Sequence, residues 1–152
     1  MTYRFQSPAV FLIGPTASGK TDTAIKLAEK YPFEIISVDS AMVFKDMNIG
    51  TCKPSNKDLK RIPHHLIDII KPDTKFDVGL FVNNVELAVN KIIKNNKIPL
   101  FVGGTMMFHK VLFDGIHDFP RDENLREEIN LVKKNQGYEH LLDELKQLDP
   151  ET

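Results

Sequence analysis

A single cysteine, Cys52, is all that the chain of 152 residues carries, so an internal disulfide is excluded. Such scarcity fits a reducing compartment. Long apolar runs are missing as well. Residues 9–13 form an apolar stretch far too short for a signal peptide or a membrane span. A cytoplasmic protein with no membrane partner is the expectation. Charge of one sign is also lacking: 20 Lys and Arg stand against 21 Asp and Glu, a formal net charge of -1. The chain as a whole is no polycation, so a nucleic acid would have to meet a local patch. Lys53, Lys57, Lys60 and Arg61 form a modest basic stretch of the kind that touches an RNA backbone. No internal repeat or low-complexity tract is present. No cysteine or carboxylate cluster has zinc spacing. His64 and His65 are adjacent, and neighbours on a strand point to opposite faces, so packing and backbone hydrogen bonding are expected of them. His109, His117 and His140 are isolated and receive no role, and Cys52 reads as small filler in a loop.

What is present is an ordinary globular composition, 41% hydrophobic and 27% charged, at a length that buries one core. Residues 10–13 read as a buried parallel strand closed by Gly14-Pro15. A helix follows over 20–30 and Pro32 ends it. Residues 34–38 form a second strand, and 47–60 a loop in which Ser55 or Asn56 caps a short helix. Residues 65–70 are a third apolar run. Residues 76–96 predict a long helix with Phe81, Val85, Ala88, Val89, Ile92 and Ile93 on one face. Residues 98–102 are another strand, closed by Gly103-Gly104, and 105–113 begin a helix. After Gly115 the character changes to two charged amphipathic helices, 125–134 and 138–148. The alternation of strand and helix argues for a parallel α/β sheet over 1–115, followed by a helical piece over 116–152.

Gly14, Pro15, Thr16, Ala17, Ser18, Gly19, Lys20 and Thr21 fit G-x-x-x-x-G-K-[ST], with a strand before and a helix after. Glycines let successive N–H groups converge on an anion, and the helix N-terminus points at the same place. Lys20 adds a mobile positive charge for terminal phosphates, and Thr21 offers a hydroxyl to Mg²⁺. The expected fold class is therefore α/β, a P-loop NTPase-like parallel sheet flanked by helices. The loop specifies phosphate, not which phosphate compound. Asp39, at the end of the second strand, belongs where catalytic groups gather in parallel sheets. It can take a proton or help to hold Mg²⁺, and it can equally cap a turn. Thr105, after the two glycines, can donate to a phosphate oxygen or cap the next helix.

Four blocks together resemble the tRNA dimethylallyltransferase family, the tRNA prenyltransferases. Residues 14–21 read GPTASGKT, 36–55 read ISVDSAMVFKDMNIGTCKPS, 62–69 read IPHHLIDI and 99–110 read PLFVGGTMMFHK. The resemblance implies transfer of a dimethylallyl group from dimethylallyl diphosphate to N6 of the adenosine beside the tRNA anticodon, by a monomer with Mg²⁺ as cofactor. It implies catalytic roles for Asp39, Thr105 and Lys20, with the diphosphate in the loop. Asp39, Ser40, Ala41 and Met42 match the segment that meets the target base, and Arg126 matches an arginine associated with tRNA contact. Met42 and Phe44 stand where many members carry glutamine and tyrosine, and Phe108-His109 where a Tyr-Phe pair is common. The family's chain is about twice as long, which implies that this chain alone binds diphosphate weakly and transfers little. Other readings of the same loop are a small-molecule kinase using ATP, for which Arg121 and Arg126 make a poor lid, an isopentenyltransferase acting on free adenine nucleotides, and an inactive phosphate-binding remnant.

Overall fold

Strands rich in Val, Ile and Phe alternate with helices that bury one stripe, so the chain folds as a sheet covered by helices. The computed structural model describes residues 8–115 and 122–151. His117 and Arg121 lie outside the described residues. The chain divides into two compact units, Met1–His117 and Asp118–Thr152.

In the first unit the elements run β1 (Val10–Ile13), α1 (Lys20–Lys30), β2 (Phe33–Val38), α2 (Asn56–Arg61), β3 (His64–His65), α3 (Val78–Lys94), β4 (Ile98–Gly103) and α4 (Met106–Asp114). The strands pair in parallel in the order β1-β4-β2-β3. The sheet's alternation sorts its side chains between two cores. Ile36, Val38 and Phe101 pack with Phe81, Val85, Ala88, Val89 and Ile92 of α3 and with Phe108 and Leu112 of α4. Ile35, Leu100 and Val102 pack on the other side with Ala24 and Ile25 of α1 and with Ile62. Phe81 stacks on Phe108 with centroids 4.1 Å apart, an arrangement that adds to the burial of both rings. Ser55 caps α2 by accepting from Asp58 N, and Asp77 caps α3 by accepting from Leu80 N.

Three expectations are corrected. Among the described residues β1 pairs only with β4 and leaves Val10 and Ile13 exposed, because apolar content does not encode sheet order. Of the run 65–70 only His65 lies in a strand, β3, since the chain turns at Leu66 and Asp68, both with positive φ. Ile93 is exposed, off the buried stripe of α3.

Glu34 is buried in β2, where its carboxylate faces His65 Nε2 at 2.8 Å and accepts from Asn95 Nδ2 at 3.1 Å. His65 thus bonds a side chain rather than the backbone. Burial pushes the Glu34 carboxyl upward, but the hydrogen bonds from His65 and Asn95, with the charges of His65 and Lys91, outweigh it and hold it below its ordinary 4.5. A depressed carboxylate contributes stability that is present above the unfolded value and lost as pH falls through the folded one. Glu34→Gln is therefore expected to lower stability by roughly 1–3 kcal/mol at pH 7. The gap between variant and parent should close as denaturation is repeated below pH 4.5. A gap constant down to acid pH would show that the charge does not matter.

The second unit holds α5 (Glu123–Leu148), interrupted at Gly137, whose φ of 80° and ψ of -179° make two helices of one run. Asp122 caps it by accepting from Asn124 N and Leu125 N. None of its residues is buried. No helix among the described residues is long and apolar enough to cross a membrane.

Candidate functional site

The carboxyl ends of β1, β2 and β4 open on one cleft of about 580 Å³. Its first wall is the loop between β1 and α1. Ala17 and Gly19 take positive φ there, 63° and 77°. Such alternation turns successive N–H groups inward. Gly19 stands at the N-cap of α1 and supplies no side-chain hydrogen bond, so the first-turn N–H groups remain for an anion. Residues 16–22 line the cleft, whereas Gly14 and Pro15 are not among its lining residues. The Lys20 ammonium lies over the loop, donating to the Pro15 carbonyl and to Ser18 Oγ.

The second wall comes from the end of β2. Asp39 lines the cleft, and its Oδ1 accepts from Ala41 N at 2.7 Å and from Met42 N at 3.1 Å. The turn-capping reading of Asp39 is thus realised, and both bonds fall on one oxygen. Ser40, Ala41 and Met42 line the cleft beside it. Met42 is oriented by its sulphur, which accepts from Ser37 Oγ at 3.6 Å.

The third wall is the turn after β4. A Cβ on Gly103 would lie 2.1 Å from Val38 O, and one on Gly104 would lie 2.9 Å from Gly14 O. Two glycines therefore let this turn press against both the β2 end and the start of the phosphate loop. Thr105 occupies the N-cap of α4 but its side chain makes no cap bond, and it lines the cleft. From the first turns of α4, buried His109 places Nε2 3.3 Å from Gly103 O, while its Nδ1 has no hydrogen-bond partner among the described residues. Burial pushes this imidazole down, against the Gly103 bond, and that bond ties the glycine turn to α4.

The structure thus gathers Lys20, Thr21, Asp39, Met42 and Thr105 around one space. Arg126 belongs to the second unit, where its Nη1 lies 3.9 Å from Glu123 Oε1. Lys53 is misread as part of a basic surface. Only 4% of its side chain is exposed, and its ammonium is 2.6 Å from Asp68 Oδ1. Arg61 pairs with Glu29 and Asp58. Sequence reasoning also missed the floor and far wall: Ile35, Ser37, Val102, His64, Ile67 and residues 50–52. The signal for Ser37 was available, since it shares a strand face with Ile35 two residues away. His64 Nδ1 lies 2.8 Å from the Ile62 carbonyl oxygen. A carbonyl only accepts, so Nδ1 carries the proton. Burial pushes the His64 imidazole down, and that bond opposes the shift.

Comparison with known proteins agrees with this geometry. The family model described as IPP transferase matches residues 42–152, and a model described as isopentenyl transferase matches 8–71. A tRNA dimethylallyltransferase of Psychrobacter sp. (strain PRwf-1) is 47% identical over 142 residues, covering 93% of this chain and 39% of that protein. One of Thiobacillus denitrificans is 44% identical over 146 residues, covering 95% of this chain and 47% of its own length. The chain thus spans less than half the length of these relatives. Among solved structures, the tRNA isopentenylpyrophosphate transferase of Bacillus halodurans matches with a TM-score of 0.69 at 34% identity, over 94% of this chain and 48% of that one. A eukaryotic dimethylallyltransferase acting on tRNA gives 0.80 at 26% identity, over 93% of this chain and 36% of its own. The phosphate loop, the Asp39 turn and the glycine turn all lie within these matches, and the chain belongs to the IPP transferase family.

Proposed function

We propose that the cleft binds dimethylallyl diphosphate and transfers its allyl group to N6 of the adenosine beside the anticodon of a tRNA. The observation that carries this reading is that Asp39 and Thr105 line the same cleft as the phosphate loop. The loop N–H groups and Lys20 hold the diphosphate, and Ile35, Ile67 and Val102 offer apolar surface for the prenyl chain. N6 attacks the allylic C1, the C1–O bond breaks, and diphosphate leaves with the electron pair. The Asp39 carboxylate takes the N6 proton. Thr105 donates to a diphosphate oxygen as charge grows there. The target base leaves its stack to enter the cleft, where residues 39–42 receive it and Arg126 contacts the tRNA. The protein acts in the cytoplasm as a monomer.

Magnesium fits the donors present. No group of three or more His, Cys, Asp or Glu among the described residues forms a cage. Mg²⁺ does not need one, being held usually by one or two protein oxygens, substrate phosphates and water. Thr21 would hold it, with Asp39 helping through water, and the ion would neutralise the diphosphate charge.

Calorimetry with inorganic diphosphate and Mg²⁺ tests the binding half. Lys20→Met is expected to weaken affinity roughly 10–100-fold, the range for losing a hydrogen bond from a charged donor. Transfer of labelled dimethylallyl to an anticodon stem-loop, with AMP as the control acceptor, tests the chemistry. Equal diphosphate affinity in the variant, or AMP preferred over the stem-loop, would overturn the reading.

A further inference from the structure

Among the described residues, four of the six non-glycine residues with positive φ cluster in two loops beside the cleft: Asp46 (63°), Cys52 (54°), Leu66 (63°) and Asp68 (55°). Such conformations cost of order 1–3 kcal/mol each and persist only where the surroundings enforce them. The flanking segments are well enforced. Asp68 N donates to Met42 O, Ile69 N to Val43 O and Lys45 N to Ile70 O. The loop 46–52 is not: among the described residues its one backbone–backbone hydrogen bond runs from Asn48 N to Asp46 O, within the loop itself. Yet Gly50, Thr51 and Cys52 line the cleft.

Lys53 supplies the missing tie. Its ammonium donates to Phe44 O at 2.6 Å, to Asp68 Oδ1 at 2.6 Å and to Asn48 Oδ1 at 3.3 Å. Those acceptors lie at the start of the loop, within it, and on the neighbouring turn. A lysine has three donors, and all three are used. With 4% of its side chain exposed, the group is desolvated, so its partners are worth more than those of a surface ion pair.

We propose that Lys53 is a positioning residue that clamps the loop 46–52 to the turn 66–70 and so sets the wall of the cleft that receives the acceptor base. The proposal rests on the prenyl-transfer reading for the identity of that acceptor, not for the clamp. Removing the charge with Lys53→Met keeps the stem and frees the loop. The phosphate loop, on other elements, is untouched.

Three measurements on the full chain decide it. In Lys53→Met, amide hydrogen exchange across 46–52 should quicken roughly tenfold, as a loop freed from its tie opens more often. Affinity for inorganic diphosphate should stay within about twofold of the parent, and affinity for an anticodon stem-loop should fall roughly tenfold. Unchanged exchange overturns the clamp. Parallel loss of diphosphate and stem-loop binding overturns its selectivity for the acceptor side. If the parent chain binds no stem-loop, the functional reading fails, while exchange across 46–52 still decides the clamp. Asp68→Asn, which leaves Lys53 its two other acceptors, carries the same measurements should Lys53→Met not fold, with smaller changes expected in the same direction.

Discussion

On the proposed reading, Asp39→Asn is expected to lower the rate of prenyl transfer by about 10²–10⁴-fold, the usual worth of a positioned general base, while leaving the fold and the affinity for diphosphate without Mg²⁺ nearly intact. The choice of variant follows from the two tasks of Asp39. Its Oδ1 accepts from Ala41 N and Met42 N, shaping the turn that lines the cleft. An asparagine carbonyl oxygen accepts the same two bonds, so the turn survives. What asparagine cannot do is take a proton at neutral pH. The N6 amine of adenine is a poor nucleophile because its lone pair is delocalised into the ring, so loss of a proton acceptor falls on the chemical step. Single-turnover transfer to an anticodon stem-loop reads that step directly. Asp39→Ala should lose the turn as well, by roughly 1 kcal/mol, judged from the related loss of helix caps. A rate for Asp39→Asn within about threefold of the parent would remove Asp39 from the reaction.

The phosphate loop was legible because its function is a property of spacing: glycines, lysine and threonine at fixed offsets between a strand and a helix. Strands and helices were legible where one period dominated, as in α3, whose buried residues are Phe81, Val85, Ala88, Val89 and Ile92. The two charged helices, 125–134 and 138–148, were also legible, and the break between them falls at Gly137. What escaped depended on partners distant in sequence. Glu34 in the middle of an apolar strand is explained by His65 and Asn95, 31 and 61 residues away. Lys53 reads as one of a basic group, and its acceptors on Phe44, Asn48 and Asp68, the last 15 residues on, turn it inward. β1 is as apolar as an interior strand, yet among the described strands it pairs with β4 alone. Periodicity reports which face is buried and says nothing about which strand is neighbour to which. The far wall of the cleft escaped because Gly50, Thr51 and Cys52 sit in a loop with no period at all.

Gly103→Ala is expected to be the most damaging small substitution in the chain. The position is the last residue of β4, paired with Val38 of β2. An added methyl would lie 2.1 Å from Val38 O, 2.6 Å from Val38 C and 2.8 Å from Val38 Cβ. All three atoms belong to a buried strand that is itself paired on both sides. No flexible side chain can yield, so the two strands must part at the point where they deliver Asp39 and Thr105. Overpacking of a core commonly costs about 1–3 kcal/mol, and more where backbone must move. A loss of about 3 kcal/mol or more is expected here, a large share of the 5–15 kcal/mol typical of a whole domain. Gly104→Ala meets one atom, Gly14 O at 2.9 Å, and should cost less, while at Gly79 an added methyl meets only Asp77 Oδ1 at 3.4 Å and should cost least. Denaturant titration of the three variants gives the order directly. Because the parted strands carry Asp39 and Thr105, whatever Gly103→Ala protein still folds should also lose transfer more steeply than it loses diphosphate binding. Stability of Gly103→Ala within about 1 kcal/mol of the parent would mean that the strand ends stand further apart than the Val38 contact implies.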